Sequence, residues 1–400
     1  MTAQQDEWDD LMGFLPTNWM ELAEQSGALK GLRKDKSAAN LLRVMFIHFA
    51  CGCSLRETAL RARASGYFTG SDVALMNRIK KSKDWLRLLC EAMLSERNIG
   101  GNFKERCLRI IDGSDVHEPG ATGSNWRIHY CMRLPDMCCD YFSITPTKGK
   151  NTGESLCRFP VNKGDLLVAD RAYSRIKDIA HVHSHEAFIC VRLNYSMLPL
   201  WTAGEQPHPF QLQANLEKLK VEGACAEWDV QVFDQDAGVF ISGRLCAIRK
   251  GEKYIEKSHK KCLEKDRKNG RKTRAKTLFI NEYIIIFTTF PRAEFSLTDI
   301  LQIYRLRWQI ELVFKRFKSL AKLGHLPKYL DDSAKAWLYG KLLVALLTEK
   351  LIALGGALSP WRDALIDKKE PLAGVCFYVA DATTDYSPVN PPSQYSIQLG

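Results

Sequence analysis

No apolar run in this 400-residue chain approaches the ~18 residues that a membrane-spanning helix needs. The N-terminus is acidic and has none of the basic, apolar and small-residue order of a signal peptide. A membrane partner is therefore not expected, and a cytoplasmic location is. Paired CxxC motifs are also missing. The 13 cysteines are odd in number and scattered, which argues against a zinc knuckle and against a disulfide framework. Most stand in apolar runs such as Ala187-Phe188-Ile189-Cys190-Val191, where a thiol acts as a small core group in a reduced compartment. Acid is short relative to base: 46 Asp and Glu against 57 Lys and Arg leave a net charge of +11. Such a surplus favours a polyanionic partner, because cations that neutralise phosphates release condensed counterions. The composition, 46% hydrophobic and 26% charged, is that of a folded chain long enough for two or three domains.

The first hundred residues read as helical. Asn40 to Ile47 has the pattern of a buried helix, which Cys51-Gly52-Cys53 breaks. Ser54-Leu55-Arg56-Glu57 is a capping box that opens a second helix to about Ala64. Ser71-Asp72 caps a third, which carries Arg78, Lys80, Lys81 and Lys83. Two helices across a glycine turn, then a basic helix, suggest a helix-turn-helix reader with Arg78, Lys80 and Lys81 at DNA. A helical bundle with a basic outer face fits the same pattern.

From Cys107 the apolar period changes to two. Cys107 to Ile111 is a strand ending on Asp112-Gly113-Ser114-Asp115. Trp126 to Leu134 and Met137 to Thr145 form a hairpin across Pro135-Asp136, and Gly153-Glu154-Ser155-Leu156 begins a short helix. Asp165 to Ala169 is a buried strand running into Asp170-Arg171-Ala172-Tyr173, followed by a helix from Ser174 and a strand over Ala187–Leu193. Asp112 is preferred to Asp115 as a site residue because it directly follows the apolar strand.

Asp170 and Glu311 are 141 residues apart, too far for an ordinary connection. The interval contains strand-like runs over Ala226–Phe233 and Val239–Ile248, then about thirteen Lys and Arg against four acids between Arg249 and Lys276. That basic run reads as a solvated helix, a flexible loop or a tracker of DNA phosphates. After Ser296-Leu297-Thr298-Asp299, an amphipathic helix runs through Lys318. Its apolar stripe is Ile303, Leu306, Ile310, Val313, Phe314 and Phe317, while Tyr304, Arg307, Glu311 and Lys318 share another face.

The spacing Tyr304, Arg307, Glu311, Lys318 resembles the signature of DDE transposases of the insertion-sequence-four family. Asp112-Gly113-Ser114 and Asp170-Arg171-Ala172-Tyr173 resemble the family's two upstream acid motifs. The order of three strands, helix, strand, helix and strand is similar to a ribonuclease H-like core of the retroviral integrase superfamily. The resemblance covers roughly residues 38 to 345. It implies an α/β fold with an N-terminal helical DNA-binding domain over 1–100, a core over 105–195 and 278–345, a β-rich insertion over 196–277, and a C-terminal helical region and tail over 346–400. It further implies that Asp112, Asp170 and Glu311 hold Mg²⁺, with Mn²⁺ as substitute, and cut and rejoin double-stranded DNA at an element's ends through a hairpin. By the same resemblance Tyr304, Arg307 and Lys318 hold the DNA backbone near a flipped base. Trp308, Trp201 or Trp228 would stack on that base, and the chain would act as a homodimer in a paired-end complex near a bacterial nucleoid. A nuclease or resolvase that does not join strands, and a catalytically inactive repressor, are the competing functions.

Overall fold

Three serines open three of the N-terminal helices. The side chains of Ser37, Ser54 and Ser71 accept the backbone N–H groups of Asn40, Glu57 and Ala74, which satisfies donors that a helix start leaves unpaired. The computed structural model describes residues 8, 11–32, 37–95, 106–117, 124–134, 138–307, 310–311 and 331–357. The chain forms two units, Met1–Lys350 and Leu351–Gly400. The second is described only over 351–357, the end of a helix.

The N-terminal helices are α1 (Trp19–Gln25), α2 (Ala38–Phe49), α3 (Leu55–Ala64), α4 (Asp72–Lys81) and α5 (Lys83–Ser95). The turn from α2 to α3 places Gly52 at φ +69°, a conformation that side chains disfavour. At Ser54 the expected capping box is only half formed, since Glu57 turns to Arg61 at 2.7 Å. Trp85 of α5 is fully buried, stacks on Trp19 and donates its indole N–H to the Trp19 carbonyl at 3.0 Å.

Strands β1 (Leu108–His117), β2 (Ser124–Leu134), β3 (Cys138–Pro146), β4 (Leu166–Ala169), β5 (Phe188–Arg192), β6 (Trp201–Thr202), β7 (Cys225–Asp234), β8 (Val239–Arg249) and β9 (Tyr283–Thr288) make one mixed sheet among the described residues. Its order is β3-β2-β1-β4-β5-β9-β8-β7-β6. β1, β4 and β5 are mutually parallel, and the remaining neighbours are antiparallel. Period-two alternation buries both faces. Leu108, Ile110, Leu166 and Val168 join the N-terminal helices in one core, with α10 (Leu297–Leu306) and α11 (Asp331–Ala357). Ile111, Leu167, Ala169 and Val191 face a second core with α6 (Ile176–Ser184). The fold is therefore a mixed α/β fold on a large mixed sheet. Among the described residues no helix is long and apolar enough to cross a membrane.

The observed elements depart from the sequence expectations at one place here. β1 does not stop at Asp112 but runs on to His117, because β2 pairs with it throughout, as far as His117↔Ser124. The strands over 201–249 belong to the same sheet, since β9 lies between β5 and β8 and bonds to both. The basic run of the connection forms helix α8 (Glu252–Lys268), after the short α7 (Leu212–Leu216), and continues to α9 (Ala275–Asn281). It is a helix and not a loose loop over most of its length.

A buried ion-pair network fixes the start of β1. Arg109, only 4% exposed, meets Asp140 of β3 at 2.7 Å and Asp165 at 3.0 Å, and donates to the Pro160 carbonyl. His129 of β2 is fully buried, with Nε2 2.9 Å from the Thr145 hydroxyl. Burial first, then Arg158 and Arg127, push its pKa down to about 3. The unfolded chain takes up this proton near pH 6.5 and the folded chain refuses it. Stability from His129 is therefore complete above about 6.5 and is lost as pH falls toward 3, at up to about 1.4 kcal/mol per pH unit. Urea titrations at pH 7 and pH 5 should show wild type losing about 1–2 kcal/mol more than His129→Gln. Parallel losses in the two proteins would remove His129 as the cause.

Candidate active site

The parallel pairing of β1 with β4 ends at Ile111↔Ala169. Asp112 and Asp170 are the next residue on each strand, so the two carboxyl groups leave adjacent strands at the same level. Asp112 accepts the N–H of Gly113 at 2.8 Å. Asp170 caps the 3₁₀ turn Arg171–Tyr173 by accepting the Ala172 N–H at 2.7 Å. Asp112 is 15% exposed. Burial above all, then the charge of Asp170, pushes its pKa up to about 7 against the opposing pull of Gly113 and Arg307. Two acids are thus crowded where a cation is wanted.

That cation is at present Arg307. Ser296 and Asp299 cap α10 reciprocally, and Ile300 and Ile303 anchor it in the core. The helix expected to run unbroken from Tyr304 to Lys318 instead ends at Leu306. The chain tightens there to three-residue bonding, Arg307 N–H to the Tyr304 carbonyl at 3.2 Å and Ile310 N–H to the Arg307 carbonyl at 3.3 Å. Ile310 and Glu311 are helical again. Across this turn the Arg307 guanidinium lies 2.5 Å from Glu311 and 3.8 Å from Asp112. Burial lowers the Arg307 pKa, but Tyr304, Glu311 and Asp112 outweigh it and the net shift is upward. The Tyr304 ring centroid is 5.9 Å from that guanidinium, and burial raises its phenol well out of range of ionisation.

The structure therefore brings Asp112, Asp170, Arg307, Glu311 and Tyr304 together. Trp308 and Lys318 lie outside the described residues. In α4, Arg78 spends its guanidinium on the carbonyls of Ala28 (3.2 Å) and Lys30 (2.7 Å), so it ties down the preceding segment and does not project freely. Lys80 is half-buried and Lys81 exposed. Trp201 and Trp228 pack on Phe240 and Phe210 in the sheet region.

Sequence reasoning missed two neighbours of the acids. The Glu154 side chain lies over Gly113, where a Cβ would come 2.7 Å from its Oε1. Tyr173, fully buried, has a hydroxyl without a partner among the described residues. The Asp170-Arg171-Ala172-Tyr173 motif already contained the tyrosine, but nothing in the sequence placed Glu154 beside it. A basic cavity of about 820 Å³ opens next to Asp170, lined by eight cationic side chains, among them Arg171, Arg192, Lys250 and Arg274, and one acid, Asp266. Burial first, then Arg192, lowers the pKa of Lys250 to about 8 and that of Arg171 as well.

As donors, Asp112, Asp170 and Glu311 offer only carboxylate oxygens, the chemistry that Mg²⁺ prefers. Among the described residues no three His, Cys, Asp or Glu side chains are gathered closely enough to hold an ion. Arg307 bridges the gap between the first and third acids.

Residues 148–347 match the family model described as transposase DDE domain. The InsL protein of insertion sequence element IS186A, from Escherichia coli (strain K12), is 31% identical over 359 residues, covering 88% of this chain and 95% of that protein. The transposase for insertion sequence element IS421 of Escherichia coli is 31% identical over 360 residues with the same coverage. The transposase for IS231F of Bacillus thuringiensis subsp. israelensis is 23% identical over 308 residues, 70% of this chain and 62% of that one. Among solved structures, a piggyBac transposase synaptic complex with hairpin DNA overlays with a TM-score of 0.40 at 7% identity, covering 96% of this chain and 84% of that one, a likeness too low to argue from. On the family model and the IS186A and IS421 relatives, the chain belongs to the DDE transposases of insertion sequence elements.

Proposed function

We propose that this transposase excises and integrates its element by metal-dependent strand cleavage and strand transfer at one site, formed by Asp112, Asp170 and Glu311. The observation that carries the reading is the placement of Asp112 and Asp170 at equal level on adjacent parallel strands, with Arg307 joining Asp112 to Glu311. Strands β1 to β5 with α6 form a ribonuclease H-like core, and the Tyr304-Arg307-Glu311-Lys318 spacing assigns the chain to the insertion-sequence-four family. The four domains follow the boundaries 1–100, 105–195 with 278–345, 196–277, and 346–400. Mg²⁺, or Mn²⁺ in its place, would supply activation of the attacking oxygen and charge neutralisation at the leaving one.

The chain's own groups do the rest. Asp112 and Asp170 present oxygens from rigid strand ends, so their separation costs no loop ordering on binding. Arg307 neutralises the acids in the free protein and can turn a guanidinium face to a phosphodiester. Tyr304 stays a neutral donor beside it, and Lys318 and Trp308 complete the contact with DNA. Arg78 keeps the α4 segment rigid, while Lys80 and Lys81 supply charge to the duplex. The basic cavity beside Asp170 tracks the backbone of the bound double-stranded DNA. Cleavage proceeds through a hairpin at the element end, within a homodimeric paired-end complex at the nucleoid.

Two experiments test this. Labelled duplex carrying the element's own end should be nicked in Mg²⁺ or Mn²⁺ and then give hairpin and joined products. Nicks without joining would make the chain a nuclease, and binding without nicks a repressor. Anisotropy titrations between 50 and 200 mM salt should show Arg271→Ala/Lys272→Ala/Arg274→Ala binding with a shallower log–log salt slope, by about 0.9 for each phosphate that the variant no longer neutralises. An unchanged slope would place the DNA elsewhere.

A further inference from the structure

We propose that the basic cavity beside Asp170 binds a compact polyphosphate, such as inorganic tripolyphosphate or a nucleoside triphosphate, and that this occupant displaces the DNA backbone. The binding stands apart from the metal-dependent reading above; only the displacement rests on the cavity serving DNA. Of its eight cations, Arg171, Arg192 and Lys250 are half-buried, while the five from Lys261 to Arg274 are exposed. The inner three stand where strands end. Arg171 lies in the turn after β4, Arg192 is the last residue of β5, and Lys250 follows β8 directly. β4 and β5 are parallel, and open α/β sheets take their ligands in the crevice outside the carboxyl ends of such strands.

These cations are not spent on the protein. Among the described residues none of the eight forms an ion pair with a carboxylate. The one acid of the cavity, Asp266, accepts the Thr273 hydroxyl at 2.7 Å. Lys250 is held in place by neutral acceptors, the Ser258 hydroxyl at 3.0 Å and the Asn281 carbonyl. Half-buried cations without a counter-charge are costly, and an anion that enters removes the cost. Size then decides which anion. About 820 Å³ is the scale of a pocket that encloses a small molecule. A DNA strand advances about 3.4 Å per phosphate, so it carries roughly three phosphates past a space of this width, too few for eight cations. A polyphosphate crowds its charge into directly linked phosphates and can meet the inner and the exposed cations together.

The test is calorimetry of inorganic tripolyphosphate, ATP and inorganic monophosphate with the full-length protein, free of DNA and of divalent ions. Tripolyphosphate should bind one per chain, roughly tenfold or more tighter than monophosphate. Lys250→Ala and Arg192→Ala should each weaken it by about tenfold or more, and Lys80→Ala/Lys81→Ala should not. The exposed pair Lys272→Ala/Arg274→Ala should weaken it too, and decides the matter if an inner variant fails to fold. ATP binding tighter than tripolyphosphate would name a nucleotide as the occupant, the reverse an inorganic chain, and either supports the site. Tripolyphosphate held no tighter than monophosphate, or equally well by all these variants, would overturn the proposal. If the same variants then lose the end duplex, the cavity belongs to DNA alone. At constant ionic strength, saturating tripolyphosphate should weaken end-duplex binding by wild type and far less by Lys250→Ala. Unchanged duplex binding by wild type would overturn the displacement. Binding is read without DNA or metal, so a failure of the cleavage reading leaves this result distinct.

Discussion

Asp170→Asn should leave the folded protein within about 1 kcal/mol of wild type while lowering metal-dependent cleavage of the element's end by roughly 10³-fold or more. The substitution separates structure from chemistry. Asp170 has a structural duty, accepting the Ala172 N–H at 2.7 Å to cap the 3₁₀ turn. An asparagine amide oxygen can accept the same bond. What is lost is one negative charge facing Asp112, and in the metal-free protein that loss relieves repulsion. Thermal melts with single-turnover cleavage on a labelled end duplex check both halves. Near-wild-type cleavage would remove Asp170 from the reaction, and a large drop in melting temperature would show that the cap depends on the charge itself.

Arg109→Met should be the most destabilising single substitution in the sheet, by about 3–5 kcal/mol. Arg109 is 4% exposed and its partners Asp140 and Asp165 are 12% and 6% exposed. Removing the guanidinium leaves both carboxylates without a counter-charge in a low-dielectric interior, and the Pro160 carbonyl loses its donor as well. The double variant Arg109→Met/Asp140→Leu should recover part of the loss, because one of the two stranded charges goes with it. Urea unfolding of the single and double variants measures this. A single-variant cost below about 1 kcal/mol would mean that the network is solvated.

Asp112 and Asp170 were legible because each follows a short, mostly apolar run, Leu108 to Ile111 and Leu166 to Ala169, that reads as a strand. Their equal level was not legible, since it depends on the Ile111↔Ala169 register, and register is a property of pairing. The same limit hid the position of β9 between β5 and β8, because all of these strands read as similar apolar runs. The turn at Arg307 was invisible for a different reason. Over a single turn, three-residue and four-residue bonding keep almost the same apolar face, so Ile303, Leu306 and Ile310 fit either. Glu154 escaped because a lone acid before a short helix reads as a cap. Only Gly113, on a strand far away in the chain, makes room for it against the sheet. The eight cations of the basic cavity come from the ends of β4 and β5 as well as from the basic run, so the run alone understated them.

Whether one site both cuts and joins DNA is decided by following the 3′-labelled strand of an end duplex in Mg²⁺, with wild type and with Glu311→Ala. A single site of three acids requires a nick at the element's end, then a hairpin or a joined product, and none of these in the variant. Nicking and joining that persist without Glu311 would contradict it, because the third acid would then lie elsewhere.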